Sequence, residues 1–406
     1  TISTMPVLLP PRHHNEKLEQ IITDDKNDTE LDLRSKNLTN KDAEIIAYYA
    51  LGDNKTLSTL DLGHNKIGGQ GMKHLSDALL LNTTITTLRL AHNKIATQGT
   101  KHLSGMLRSN VTLTTLDLCS NDIGPQAMKY LIDALKLNRT LTSLNLSENQ
   151  IGIQGVQYIT DLLRLNTTLT KLKLDINHVE NEGAQYLSDA LRSNKTLIIL
   201  ILSRNDIEVQ GVQYLSIVLQ SNTTLTELDL YENKIGKEGA KHLSDVLRLN
   251  KTLTTLNLCR TQIENEGVHH LSNALQSNMT LLNLNLSENE IGQDGAKYLS
   301  DALRLNKTLT TINLSWNQIG NVGAQYLSDA LRVNKTITSL SLYLNSISDA
   351  GVKYLSDALQ SNMTLTKLNL GANNEIGRQG HEYLEELTNK NTNISVNLWY
   401  GIVCMQ

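Results

Sequence analysis

An asparagine followed two places later by a threonine recurs every 28 residues, at Asn54, Asn82, Asn110, Asn138, Asn166, Asn194, Asn222, Asn250, Asn278, Asn306, Asn334 and Asn362. Self-similarity at a period of about 20–50 residues marks a solenoid. Each unit of such an array packs on its neighbours alone, so the 406 residues measure a number of repeats rather than a number of domains.

One unit, Leu141 to Asn166, reads LTSLNLSENQIGIQGVQYITDLLRLN. Apolar and polar residues alternate around Leu144 and Leu146, which predicts a short strand with one buried face. Asn149 follows, placed to bond the backbone of the turn that leaves the strand. Val156, Ile159, Leu162 and Leu163 then fall at helical spacing, with Gly155 expected where the chain turns into the helix. Each helix returns the chain to a strand of the same direction, so the strands should form a parallel sheet with the helices on its other face. Strands sit ~4.8 Å apart and helices ~8–10 Å, so each repeat must fan open by roughly 20–25°. The predicted architecture is α/β: a horseshoe with a concave parallel sheet and convex helices.

The strand leucines and their asparagine recur as Leu60, Leu62, Asn65, then Leu88, Leu90, Asn93, and onward to Leu368, Leu370, Asn373. An earlier unit, Leu31, Leu33 and Leu38, carries Lys36 in the asparagine slot. The pattern LxxLxLxxNxIxxxGxxxLxxAL, over roughly Leu31 to Leu387, resembles the leucine-rich repeats of the ribonuclease-inhibitor type. The resemblance implies a right-handed β-α superhelix and recognition of a protein partner through the concave face. The same class occurs in the ligand-sensing ends of NOD-like receptors and in the Ran GTPase-activating protein, so a receptor fragment or a GTPase regulator are the alternatives. Ribonuclease inhibitor itself is cysteine-rich with alternating repeat lengths, and this chain departs from it on both counts. The expected organisation is an N-terminal cap over 1–30, partly disordered with a short helix around Leu18, Ile21 and Ile22. The solenoid follows over 31–393, with about thirteen repeats. A capping strand spans 394–406, where Trp399, Tyr400, Ile402 and Val403 would close the last repeat.

Net charge is −4, far from the basic profile of a general nucleic-acid binder. No apolar run approaches ~18 residues, and the opening TISTMPVLLPPRHH is too short in apolar length for a signal peptide. The expectation is a cytoplasmic, monomeric chain without nucleic-acid or membrane partners and without a cofactor. Cys119 and Cys259 lie five repeats apart, roughly 24 Å at ~4.8 Å per strand, too far for a disulfide. No phosphate-binding loop, zinc-ligand spacing or nucleophile elbow is present in the sequence, which argues against an enzyme. The N-x-T triplet is also an N-glycosylation pattern. Its regularity instead reads as a corner, with the asparagine in the left-handed conformation that ends helices.

Whatever recurs with the period is structural, so departures from it carry the functional information. His74, His102, His242 and His270 share one helical slot with Tyr130 and Tyr158, and read as packing groups. His64 and His92 are in adjacent repeats but lack a third ligand for a metal site. The strand slots expected to face solvent vary freely. Before each asparagine stand His64, His92, Ser120, Glu148, Ile176, Arg204, Glu232, Arg260, Glu288, Trp316, Leu344 and Ala372. From these and the neighbouring slots, the candidate partner-binding residues are Lys173, Asp175, Ile176, Ile199, Ile201, Arg204, Asp229, Tyr231, Glu232, Arg260, Glu288, Trp316, Tyr343 and Leu344. Ile199 and Ile201 are expected to lie beside Ile176 as an apolar patch. Tyr231, Trp316, Tyr343 and Leu344 supply rigid anchors. Lys171, Lys173 and Arg204, followed by Glu227, Asp229, Glu232, Glu288 and Glu290, would orient a partner of complementary charge. Thr261, next to Arg260, is the one loss of the asparagine among the twelve clear units.

Overall fold

Why should a strand here be only three residues long? In the segment Ser143–Asn145 the middle residue, Leu144, is buried and its neighbours are half-exposed. Beyond Leu146 the chain must turn toward its helix, and the turn ends the pairing. The computed structural model describes residues 8–52, 54–373 and 375–398. They divide into two compact units, one up to Asn205 and one from Asp206.

In the first unit the strands Glu30–Asp32, Thr59–Asp61, Thr87–Arg89, Thr115–Asp117, Ser143–Asn145, Lys171–Lys173 and Ile199–Ile201 pair in parallel, each with its neighbour in sequence. The second unit repeats the scheme with Glu227–Asp229, Thr255–Asn257, Asn283–Asn285, Thr311–Asn313, Ser339–Ser341, Lys367–Asn369 and Ser395–Asn397. Register follows the leucines: Leu60 faces Leu88, which faces Leu116. Slipping by one residue would turn each buried leucine outward, at about 1.5–3 kcal/mol apiece. Helices such as Pro125–Leu135 and Gly236–Leu247 link successive strands and bury one face against them.

The first pairing is one residue longer, since Leu31 faces Leu60. A π-helical stretch, Ile46–Gly52, lies in that repeat, and such a turn takes up a single extra residue. Near the end the helix Arg378–Lys390 starts one place late, yet Leu368 still faces Val396. The slip is therefore absorbed before the last strand. At the N-terminal side, Leu18 and Ile22 of the helix Glu16–Asp24 are buried, and Asn15 caps it by accepting from the Leu18 N–H. Of the partly disordered cap expected over 1–30, residues 1–7 fall outside the described residues, as does the closing role of Trp399, Tyr400, Ile402 and Val403.

Asn149 shows what the recurrent asparagine does. Its Nδ2 donates to the Leu118 carbonyl (2.8 Å) in the preceding repeat and to the Ser147 carbonyl (2.9 Å) in its own. Its Oδ1 accepts from the N–H groups of Asn121 and Ile123. The amide thus completes the backbone bonding of two turns, as expected from sequence.

Two local expectations need correction. Gly155 lies inside the helix Gly152–Leu165, and a Cβ there would stand 2.2 Å from Ile151 Cγ2. The glycine makes room for the core isoleucine four residues before it. The N-x-T asparagines are not left-handed: Asn166, Asn306 and Asn334 end their helices with φ of −81, −63 and −69°. They act through their side chains instead. Asn250 Nδ2 donates to the Leu219 carbonyl (2.7 Å), and its Oδ1 accepts from the N–H groups of Thr252 and Leu253. All twelve are at most 7% exposed. A glycan on Nδ2 would have to displace these inter-repeat bonds.

Candidate functional site

After each strand comes the variable slot, and its backbone has a property that its residues do not advertise. All twelve positions, from His64 to Ala372, have φ between 51 and 58°. This left-handed region favours glycine, asparagine or aspartate, and costs other residues roughly 1–2 kcal/mol. None of the twelve is one of those three. The repeat imposes the conformation because the slot N–H must reach the next repeat. Trp316 donates to the Tyr343 carbonyl and His64 to the Ala91 carbonyl, both at 2.8 Å. Ile176, at φ 52°, is the least suited, since a β-branched side chain there is an outlier.

Within the first unit, Arg204 is exposed and Lys173, Asp175, Ile176 and Ile199 are half-exposed. Ile201 is buried, at 8%, contrary to expectation. The register sets Lys171 beside Ile199 and Lys173 beside Ile201, while Ile176 donates its N–H to the Ser203 carbonyl farther along. The lysine side chains, rather than Ile176, are thus the direct neighbours of the two strand isoleucines. Asp175 accepts from Ser147 Oγ (2.6 Å), so part of its capacity braces the sheet.

Within the second unit, Arg260 reaches both acidic slots that flank it: its Nη1 is 3.4 Å from Glu232 Oε1 and its Nε 3.9 Å from Glu288 Oε2. A hydrogen bond with Tyr231 and then the Glu232 carboxylate raise the Arg260 pKa. The three charges expected to face a partner separately form one linked row. Asp229 accepts from the Tyr231 N–H (2.8 Å) and from Asn257 Nδ2 (2.9 Å), again a bracing role. Trp316 is 48% exposed, whereas Tyr343 is only 8% exposed. Their ring centroids are 6.0 Å apart, so Tyr343 supports the indole instead of presenting itself. Leu344 is half-exposed. Thr261 partly replaces the missing asparagine: its Oγ1 donates to the Leu258 carbonyl (2.7 Å) and lies 3.1 Å from Asn289 Oδ1.

The histidine pair expected from the sequence is present, with His64 and His92 stacked at 4.2 Å and 15° between planes. A set of three possible ligands is present as well, and it includes His92 but not His64. His92, Cys119 and Glu148 bring their ligand atoms within 4.8 Å of one another. Sequence reasoning missed the set because its spacings, 27 and 29 residues, straddle the repeat length and mix two slots. Scanning for one repeat plus or minus one residue would have found it. Cys119 and Cys259 are free thiols, and burial pushes their pKa values up to about 12 and about 11.

Among the described residues no helix is long and apolar enough to cross a membrane. A family profile described as Leucine Rich repeat matches twelve segments, 53–76, 81–104 and so on to 361–384. No curated protein matches the sequence. The chain is similar in structure to an internalin (inlF) from Listeria monocytogenes, with TM-score 0.50 and 19% identity over 99% of this chain and all of that one. It is also similar to a chain from the crystal structure of the Rad7 and Elc1 complex in yeast, with TM-score 0.51 and 16% identity over 94% of this chain and 82% of that one. At these identities the likeness concerns the fold.

Proposed function

We propose a protein-binding role for a chain that belongs to the leucine-rich repeat family. It is a non-catalytic scaffold that recognises a protein through the side chains leaving the strands. The observation that carries this reading is the left-handed slot. Twelve times a backbone that favours glycine or asparagine holds another residue, Ile176 and Trp316 among them. Strain retained at an exposed position points to function. An exposed indole braced by a buried tyrosine has the character of an interface anchor. The free thiols fit a reducing compartment such as the cytoplasm, and a net charge of −4 suits a protein partner better than nucleic acid.

The test is quantitative affinity capture from native-host lysate with wild type, Trp316→Ala and Ile176→Asn, each checked for folding by circular dichroism. Proteins that bind specifically should be depleted from at least one variant, Trp316→Ala costing about 2 kcal/mol or more. If both folded variants retain the same proteins at wild-type occupancy, the strand exits are not the binding surface.

A further inference from the structure

We propose that His92, Cys119 and Glu148 form a binding site for a divalent transition metal of the zinc class. One ligand comes from each of three consecutive repeats, and their ligand atoms all lie within 4.8 Å of one another. One nitrogen, one sulfur and one carboxylate oxygen make a donor set that zinc accepts, and three protein ligands leave a fourth position for solvent or substrate. Tetrahedral zinc needs roughly 3.4–3.7 Å between ligand atoms, a closure of about 1 Å that side-chain rotation supplies.

The backbone holds all three in place. The His92 N–H donates to the Cys119 carbonyl and the Glu148 N–H to the Asp175 carbonyl, both at 2.8 Å. The Cys119 N–H donates to Asp117 Oδ1 at 2.9 Å. His64, stacked on His92, fixes the plane of the imidazole. The charges acting on the thiol are mostly acidic, with Glu148, Asp117 and Asp175 opposed by Lys173. Such surroundings favour a cation. On binding, the metal–sulfur bond replaces the S–H bond and the thiol proton leaves to solvent.

The chain also contains its own comparison. The slots of His92, Cys119, Ser120 and Glu148 recur 140 positions on as Glu232, Cys259, Arg260 and Glu288. There the guanidinium of Arg260 lies between the two carboxylates. The second unit supplies the cation covalently, and with Ser120 in that slot the first leaves the role to a metal ion.

The experiment is titration of the full chain, without a polyhistidine tag, with Co(II) followed by competition with Zn(II). A thiolate-to-cobalt absorption band should rise to one equivalent and be discharged by zinc. Cys119→Ser should abolish the band and Cys259→Ser should leave it, while His92→Ala and Glu148→Gln should each weaken binding by roughly tenfold or more. Ser120→Arg, which copies a residue the fold already accepts in that slot, should also abolish it. Absence of the band at submillimolar cobalt would overturn the proposal. So would a band that survives Cys119→Ser or that Ser120→Arg leaves unchanged.

Discussion

Cys119-Ser120-Asn121 in the first unit and Cys259-Arg260-Thr261 in the second occupy the same three slots, 140 positions apart. Both cysteines are shielded and both triplets leave a strand by the same left-handed turn. They differ in what completes the surroundings. Asn121 Nδ2 donates to the Leu90 carbonyl (2.8 Å) and the Cys119 carbonyl (3.0 Å). Thr261 has one hydroxyl for that work. Arg260 joins its acidic neighbours into a row, whereas Ser120 places no charge between His92 and Glu148. The comparison separates two jobs of the turn: the buried residue sets the price of the backbone, and the left-handed residue before it sets the chemistry of the surface.

The comparison can be pressed from several sides. The largest effect should come from removing what both triplets lean on, the asparagine of the following repeat. Asn149 accepts from the Asn121 N–H, and Asn289 from the Thr261 N–H. Asn149→Ala or Asn289→Ala should destabilise by about 2–4 kcal/mol, because several buried backbone groups lose their partners. Urea unfolding measures this, and equal midpoints for mutant and wild type would refute the role. Copying one triplet into the other comes next. Asn121→Thr should cost about 1–2 kcal/mol, less than Asn149→Ala because Asn121 Oδ1 has no partner to lose. A cost equal to that of Asn149→Ala would refute this difference between the two amide oxygens.

Replacing the strained slot should have the opposite sign. Ile176→Asn should stabilise by about 1 kcal/mol, since asparagine tolerates the left-handed backbone. A loss of stability would mean that Ile176 is held by packing instead. Arg260→Ser should change stability by less than about 1 kcal/mol, and by less still in high salt, as its pairs are solvent-exposed. A large, salt-insensitive loss would contradict the row's surface character.

A separate test uses alkali. A thiol whose folded pKa lies above its unfolded value, about 8.5, contributes stability that is whole below that value and is lost as pH climbs through the folded one. Burial places Cys119 at about 12 and Cys259 at about 11. Raising the pH from 8 to 10.5 should therefore destabilise wild type more than Cys119→Ser. Identical pH profiles would show that the thiol is not shielded.

The core and the asparagine ladder were legible in the sequence because repetition averages away the accidents of any one unit. Leu144 and Asn149 do what their spacing predicts. Exposure was less legible, since it depends on what neighbouring repeats carry. Tyr343 is covered where Trp316 packs against it, and Ile201 is covered although its slot faces outward in the pattern. The sign of φ in the variable slot left no trace, because none of the residues that usually announce it was used. The metal cluster was hidden for a geometric reason: the slot of Cys119 lies one residue before that of His92 and Glu148, so its members meet only when strands are laid side by side.

The amide of Asn149 donates to carbonyls in its own repeat and the one before it, while that of Asn250, at the opposite corner, donates to the Leu219 carbonyl of the repeat before and accepts from the Thr252 N–H of its own. Both halves of each bond are therefore encoded at a constant distance along the gene. Unequal recombination that inserts or deletes a whole repeat, wherever the break falls, restores every donor to an equivalent acceptor. Copy number can thus drift under selection for reach or affinity while the joints stay intact, and a crossover out of phase would be lost at once as an unfolded chain.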